Sequence, residues 1–273
     1  MTRKEATTYT GSFQQRVTIS HFADTIVPYR SQPAADTRPA AISILDSIQS
    51  YYHTLDGAGR EDYQPTLNHC FAIRLALLLM SILSEGRFAA SEEGSFKDEF
   101  YLHCMQRATE TGLAEEIDDS EILLIGIKQC LIMMAAAGII RKDRESTEID
   151  RDGLTEKNIH QRLFNAFWNM VPWDELFPSD QEAAIELGRD KNILRDLLAR
   201  HTGAVSIDAV ANEFFEMTGF SAPGDMEMIS FLDFYFFAWL ERFGLIRYIE
   251  GRLYETVRIT VTEIGRNLLR SYS

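Results

Sequence analysis

Cysteine is scarce in this chain. Cys70, Cys104 and Cys130 each sit in an apolar stretch, and no two share a C-x-x-C spacing. That pattern excludes a disulfide framework and a zinc knuckle and reads as three reduced core thiols. Long hydrophobic runs are missing as well. Residues 122–140 carry Lys128 and Gln129 near their middle, and residues 229–240 are interrupted by Asp233, short of the roughly twenty apolar residues a bilayer crossing requires. Met1–Glu5 leads into polar residues rather than an apolar block, so no secretory signal is expected and a cytoplasmic protein is. Nucleotide-binding glycine loops, metalloprotease helices and serine-hydrolase elbows are all absent. No catalytic residue, cofactor or metal ligand is therefore assigned, and the expectation is a non-enzyme.

Positive charge is also in deficit, with 27 Lys and Arg against 41 Asp and Glu and a net charge of −14. Affinity for duplex DNA comes largely from cations that neutralise phosphates, so the field of the whole molecule opposes nucleic acid. The imbalance is uneven. Residues 85–121 hold eleven acids against three bases, a net of −8, whereas residues 242–273 hold six arginines against three glutamates, a net of +3. Any contact with nucleic acid is confined to the C-terminal end.

What is present is an ordinary globular balance, 45% hydrophobic and 25% charged, arranged with helical periodicity. Residues 1–35 read as an arm with one weak period-two stretch, followed by a helix over 40–55. Further helices are predicted over 66–83, 95–111 and 120–137, the last beginning at Ser120 with Glu121 in its first turn. Gly138 then stops the helix, Ile139 and Ile140 start a strand, a charged stretch makes a hairpin, and Thr155 opens another helix towards Trp168. The second half repeats that order. Helices over 181–200, 206–219 and 226–243 lead to Gly244, a hairpin turning at Glu250–Arg252, and a last helix opened by Thr262. Gly138–Arg141 falls on Gly244–Arg247 at a shift of 106, and Leu154–Glu156 on Val261–Glu263 at a shift of 107, so an internal duplication is expected. Gly138 and Gly244 are read as left-handed helix stops, and Gly265 as serving the backbone.

Leu240–Ile246, reading LERFGLI, followed by a hairpin and Val261–Leu269, reading VTEIGRNLL, resembles the end of many winged-helix domains. The resemblance implies a mainly α fold of tandem winged-helix-like units. Residues 1–63 would form the N-terminal arm and helix, 64–170 the first unit and 171–273 the second. In DNA-binding members the helix before the wing enters the major groove and offers Arg, Lys, Asn or Gln to base edges. Here the second such helix has one basic residue, Arg242, at its far end, and the first has only Lys128 and Gln129.

A protein-interaction or assembly module is therefore the expected function. The alternative is a DNA-associated transcriptional regulator or replication accessory that grips backbone phosphates through Arg247, Arg252, Arg258 and Arg266 of the C-terminal wing. Phe231, Phe234, Tyr235, Phe236 and Trp239 are the candidate interface, because apolar residues cover more of that helix than one core contact needs. The surplus face meets either a second chain, as a homodimer, or the first unit. His69–Cys70 and His103–Cys104 invite a composite thiol–imidazole site across two helices, with core packing the simpler reading. Phe164, Phe167, Trp168, Val171, Trp173 and Phe177 form either an interdomain core or a ligand pocket.

Overall fold

The chain's apolar helices arrange themselves around α1 (Phe71–Ser84), which is apolar on nearly every side and buries every residue except Leu77, Met80, Ser81 and Ser84. A helix of that kind has to be covered all round. α2 (Asp98–Glu110), α3 (Ser120–Ala136) and α4 (Glu156–Asn165) provide the cover, and all three pack against it. The computed structural model describes residues 66–86, 88, 96–117, 120–142, 147–150, 154–178, 181–220, 232–249 and 258–271. The expected arm and first helix, Phe231 and Arg252 lie outside the described residues, and so do the side chains of Phe234 and Tyr235.

α2 carries Asp98 and Glu99 in its first turn, where carboxylates suit the helix dipole, and buries Phe100, Cys104 and Ala108 at successive four-residue steps. A 3-10 turn at Leu113–Glu116 leads to α3. The strands β1 (Ile140–Lys142) and β2 (Thr147–Ile149) pair antiparallel, with Ile140 opposite Ile149 and Lys142 opposite Thr147. α4 continues through a π-turn at Ala166–Met170 into the short α5 (Trp173–Leu176). The second half runs α6 (Gln181–Arg200), β3 (Val205–Ser206), α7 (Ile207–Thr218), a π-turn at Asp233–Phe237 that feeds directly into α8 (Ala238–Arg242), β4 (Ile246–Ile249), β5 (Arg258–Val261) and α9 (Glu263–Ser271). β5 lies between β3 and β4 in an antiparallel sheet, with Val205 and Tyr248 both opposite Ile259. The fold is mainly helical with two small antiparallel sheets, and the described residues belong to one compact unit.

Three helices, a hairpin and a closing helix occur twice in this order. Phe96 forms a single-residue bridge just before α2, where the second half places β3 before α7. The two helix stops share their hydrogen bonds as well. Gly138 (φ 66°) and Gly244 (φ 71°) are both left-handed. Gly138 N–H donates to Ala135 and Ile139 N–H to Met134, and Gly244 and Leu245 donate likewise to Glu241 and Leu240, so each glycine closes a Schellman motif. The closing helices begin alike too: Thr155 Oγ1 accepts from Asn158 N–H at 3.2 Å and Thr262 Oγ1 from Gly265 N–H at 2.9 Å.

Gly265 is constrained by space. A Cβ there would stand 2.0 Å from the Leu245 carbonyl oxygen, so only glycine lets α9 lie against the start of β4. Gly244→Ala is expected to cost about 1 kcal/mol through its positive φ. Gly265→Ala, which drives a methyl group into backbone, is expected to cost more, about 3 kcal/mol. Urea unfolding of the two variants ranks them, and equal losses would refute the close approach.

Candidate functional site

Two chain segments with a wider than α-helical turn meet where the two halves join. The π-turn after α4 presents Phe167 and Trp168, and the π-turn before α8 presents Phe236 and Phe237, all of them buried. Trp168 lies 6.1 Å from Phe236, Trp173 lies 6.0 Å from Phe236, Phe167 lies 5.9 Å from Trp239, and Phe164 meets Phe243 edge-on at 5.4 Å. Such ring pairs add about 0.5–1.5 kcal/mol each beyond the area they bury. The aromatic joint is the shared core of the two halves.

The polar groups that this core encloses bond across it. Trp239 Nε1 donates to Gln129 Oε1 at 3.1 Å, and Gln129 Nε2 donates to the Leu176 carbonyl at 2.7 Å. His160 Nε2 donates to the Phe243 carbonyl at 2.8 Å, which fixes the tautomer with its proton on Nε2, and burial lowers its pKa so that the ring is neutral at pH 7. Lys191 donates to the Trp168 carbonyl and lies over the Trp168 and Trp173 rings at 5.6 and 5.3 Å. Its partial burial lowers its pKa.

A charged rim borders the joint. Arg74, buried on α1, pairs with Glu116, and Tyr248 donates its hydroxyl to Asp233. Arg242 lies over the Trp239 ring at 4.9 Å and over Phe71 at 6.0 Å, and burial lowers its pKa to about 10. Burial raises the pKa of Glu116 and of Asp233, against the opposing hydrogen bonds from Arg74 and Tyr248. Glu241 keeps part of its surface in solvent, yet the surrounding protein pushes its carboxyl up to about 7, helped by the charges of Asp233 and Glu116 and opposed by the Tyr248 N–H and Arg242.

The expected interface residues divide. Phe236 and Trp239 are fully covered inside the chain, so the surplus face of their helix is taken up by the first half, and neither side chain is presented to a partner. On the wing, Arg258 is exposed and donates to the Ala204 carbonyl at 3.0 Å, Arg266 donates to the Val261 carbonyl at 2.7 Å, and Arg247 lies on β4. The composite thiol–imidazole site does not assemble. Cys70 donates to the Thr66 carbonyl, His69 turns to Thr66, and burial pushes all three thiols up to about 12, which keeps them protonated. Among the described residues, no cluster of His, Cys, Asp and Glu could hold a metal ion, and no helix is long and apolar enough to cross a membrane.

Sequence reasoning passed over Arg74, Glu116, His160 and Lys191. Gln129 and Asp233 served to argue against membrane spans and base readout, although a polar residue inside an apolar helical run is the signal that marks a buried bonding partner.

Gln129→Leu strands the Trp239 N–H and the Leu176 carbonyl without partners and is expected to cost about 2–6 kcal/mol in urea unfolding, at about 1–3 kcal/mol per buried unsatisfied group. A loss under about 0.5 kcal/mol would refute the bridge. The raised Glu241 carboxyl binds its proton more tightly in the folded chain than in the unfolded one, so its contribution to stability is greatest below the ordinary Glu value of 4.5 and is lost as pH rises through about 7. The urea midpoint of Glu241→Gln should therefore fall less between about pH 5 and about pH 7.5 than that of the unmodified chain, and identical slopes would refute the assignment. No protein-family model, curated protein or solved structure matches the chain.

Proposed function

We propose that the chain is a non-catalytic protein-interaction module built on two tandem winged-helix-like units. In the second unit, helix, strand, helix, helix and hairpin follow in order, with the last strand in the middle of the sheet, and that arrangement supports the winged-helix reading. The observation that carries the functional reading is the fate of the polar groups on the two helices that would enter a DNA groove. Gln129 is buried and bonded to Trp239 and Leu176. Lys128 lies over the Tyr101 ring at 5.3 Å, and Arg242 packs on Trp239. Base readout needs several Arg, Lys, Asn or Gln aimed outward; Gln129 and Arg242 are engaged within the chain, and the exposed Lys128 alone is too little.

The net charge of −14 adds to the case against nucleic acid. A DNA-associated regulator working through the wing is the second reading, favoured by the net +3 of residues 242–273 and the exposure of Arg258. Selection from a random duplex library decides between them. The interaction module is expected to show at most non-specific affinity, about 10⁻⁴–10⁻⁶ M at physiological salt. Recovery of a defined site bound tighter than about 10⁻⁸ M would overturn it, and a loss of that binding in Arg247→Ala or Arg258→Ala would locate the contact on the wing.

A further inference from the structure

We propose that the outward face of α3, with the adjoining edge of α2, docks a basic amphipathic helix of another protein; the proposal rests on the interaction-module reading. α8 spends both of its faces inside the chain, whereas its counterpart α3 does not. Glu121, Ile125, Lys128, Ile132 and Ala135 recur at four- and three-residue steps on one side of α3, and all are exposed except Ile132, which is half-buried. Lys128 leans over Tyr101 of α2, so the two helices present one continuous surface. Ile125 is 41% exposed, and Leu102 on α2 is 55% exposed. A face with branched apolar side chains at this spacing is what an amphipathic helix lays its own apolar side against.

Charge selects the occupant. Asp98 and Glu99 open α2, Glu110 ends it, Glu115 follows, and Glu121 opens α3, all exposed, within the stretch 85–121 whose net charge is −8. A partner helix with Lys or Arg along its polar edges meets opposite charge on this frame. A second copy of the chain would bring the same acidic stretch against itself, and repulsion of like fields opposes that pairing.

The full-length chain tests the proposal against fluorescent peptides of about 18 residues, long enough for a helix of several turns, patterned from Leu and Lys or from Leu and Glu. Anisotropy is expected to show binding of the Lys peptide and none of the Glu peptide. Ile125→Asp and Leu102→Asp should each weaken the Lys peptide about tenfold or more, while Met217→Asp, at an exposed position of α7, leaves it unchanged. All three positions face solvent, so unchanged urea midpoints confirm that the variants fold. Absent binding, or binding that both α2/α3 variants leave intact, overturns the proposal. A light-scattering mass of two chains that Ile125→Asp returns to one also overturns it, by making the second copy the occupant. A labelled duplex run in parallel separates the two claims: specific duplex binding defeats the interaction-module reading, and the peptide variants still decide this face.

Discussion

The helix that ends at Arg242 is apolar on two sides, and the fold depends on how the second side is covered. One side packs within its own half, and the other is accepted by Phe167, Trp168 and Trp173 of the first half. Burying an indole is favourable only if its N–H finds an acceptor, and Gln129 supplies one from the middle of α3. The Gln129 amide then has its own N–H to place, and the Leu176 carbonyl accepts it. The chain of bonds Trp239–Gln129–Leu176 ties together α8, α3 and α5, three elements brought from both halves. Without it the aromatic joint would enclose unpaired polar groups, each a cost that ring packing alone does not offset.

The same requirement shapes the border of the joint. The Phe243 carbonyl, near the end of α8, is met by His160 of α4, a bond between halves that favours the protonated ring, while burial outweighs it and keeps the imidazole neutral. Arg242 spreads its guanidinium over Trp239 and Phe71, an arrangement that suits a planar, weakly hydrated cation and keeps its stem on apolar surface. Near it stand Glu116, Asp233 and Glu241, and the charges of the first two raise the proton affinity of the third. The cluster is a boundary between the dry joint and water, with a hydrogen-bonding partner for each carboxylate drawn from Arg74 or Tyr248.

The two halves share an order of elements and differ in how they use it. Both halves stop their third helix with a left-handed glycine and start their closing helix with a threonine, but they use the third helix differently. α8 and the π-turn before it are consumed by the joint, because their second face has Phe236 and Trp239 to bury. α3 gives one edge to the joint through Gln129 and keeps the opposite side at the surface. Two halves with the same element order can share a core in this way only if one of them gives up its outward face, and the aromatic content of the second half selects which.

By itself the sequence determined the order of the main helices and strand pairs among the described residues, the glycine stops at 138 and 244 and the threonine caps at 155 and 262. Each of these is decided by atoms within about five residues: a Schellman closure or a cap bond has both partners on the same short segment. It also determined that the helix before the second hairpin has too much apolar surface for one contact. Tertiary structure alone decided what covers that surface. Phe236 and Trp239 read as an interface for either a second chain or the first unit, because periodicity reports that a face is apolar and says nothing about which surface comes to meet it. Gln129 and Lys128, adjacent in sequence, part ways for a related reason: a helix turns about 100° per residue, so one points into the joint and the other out over Tyr101, and only the packed neighbours fix which side is which.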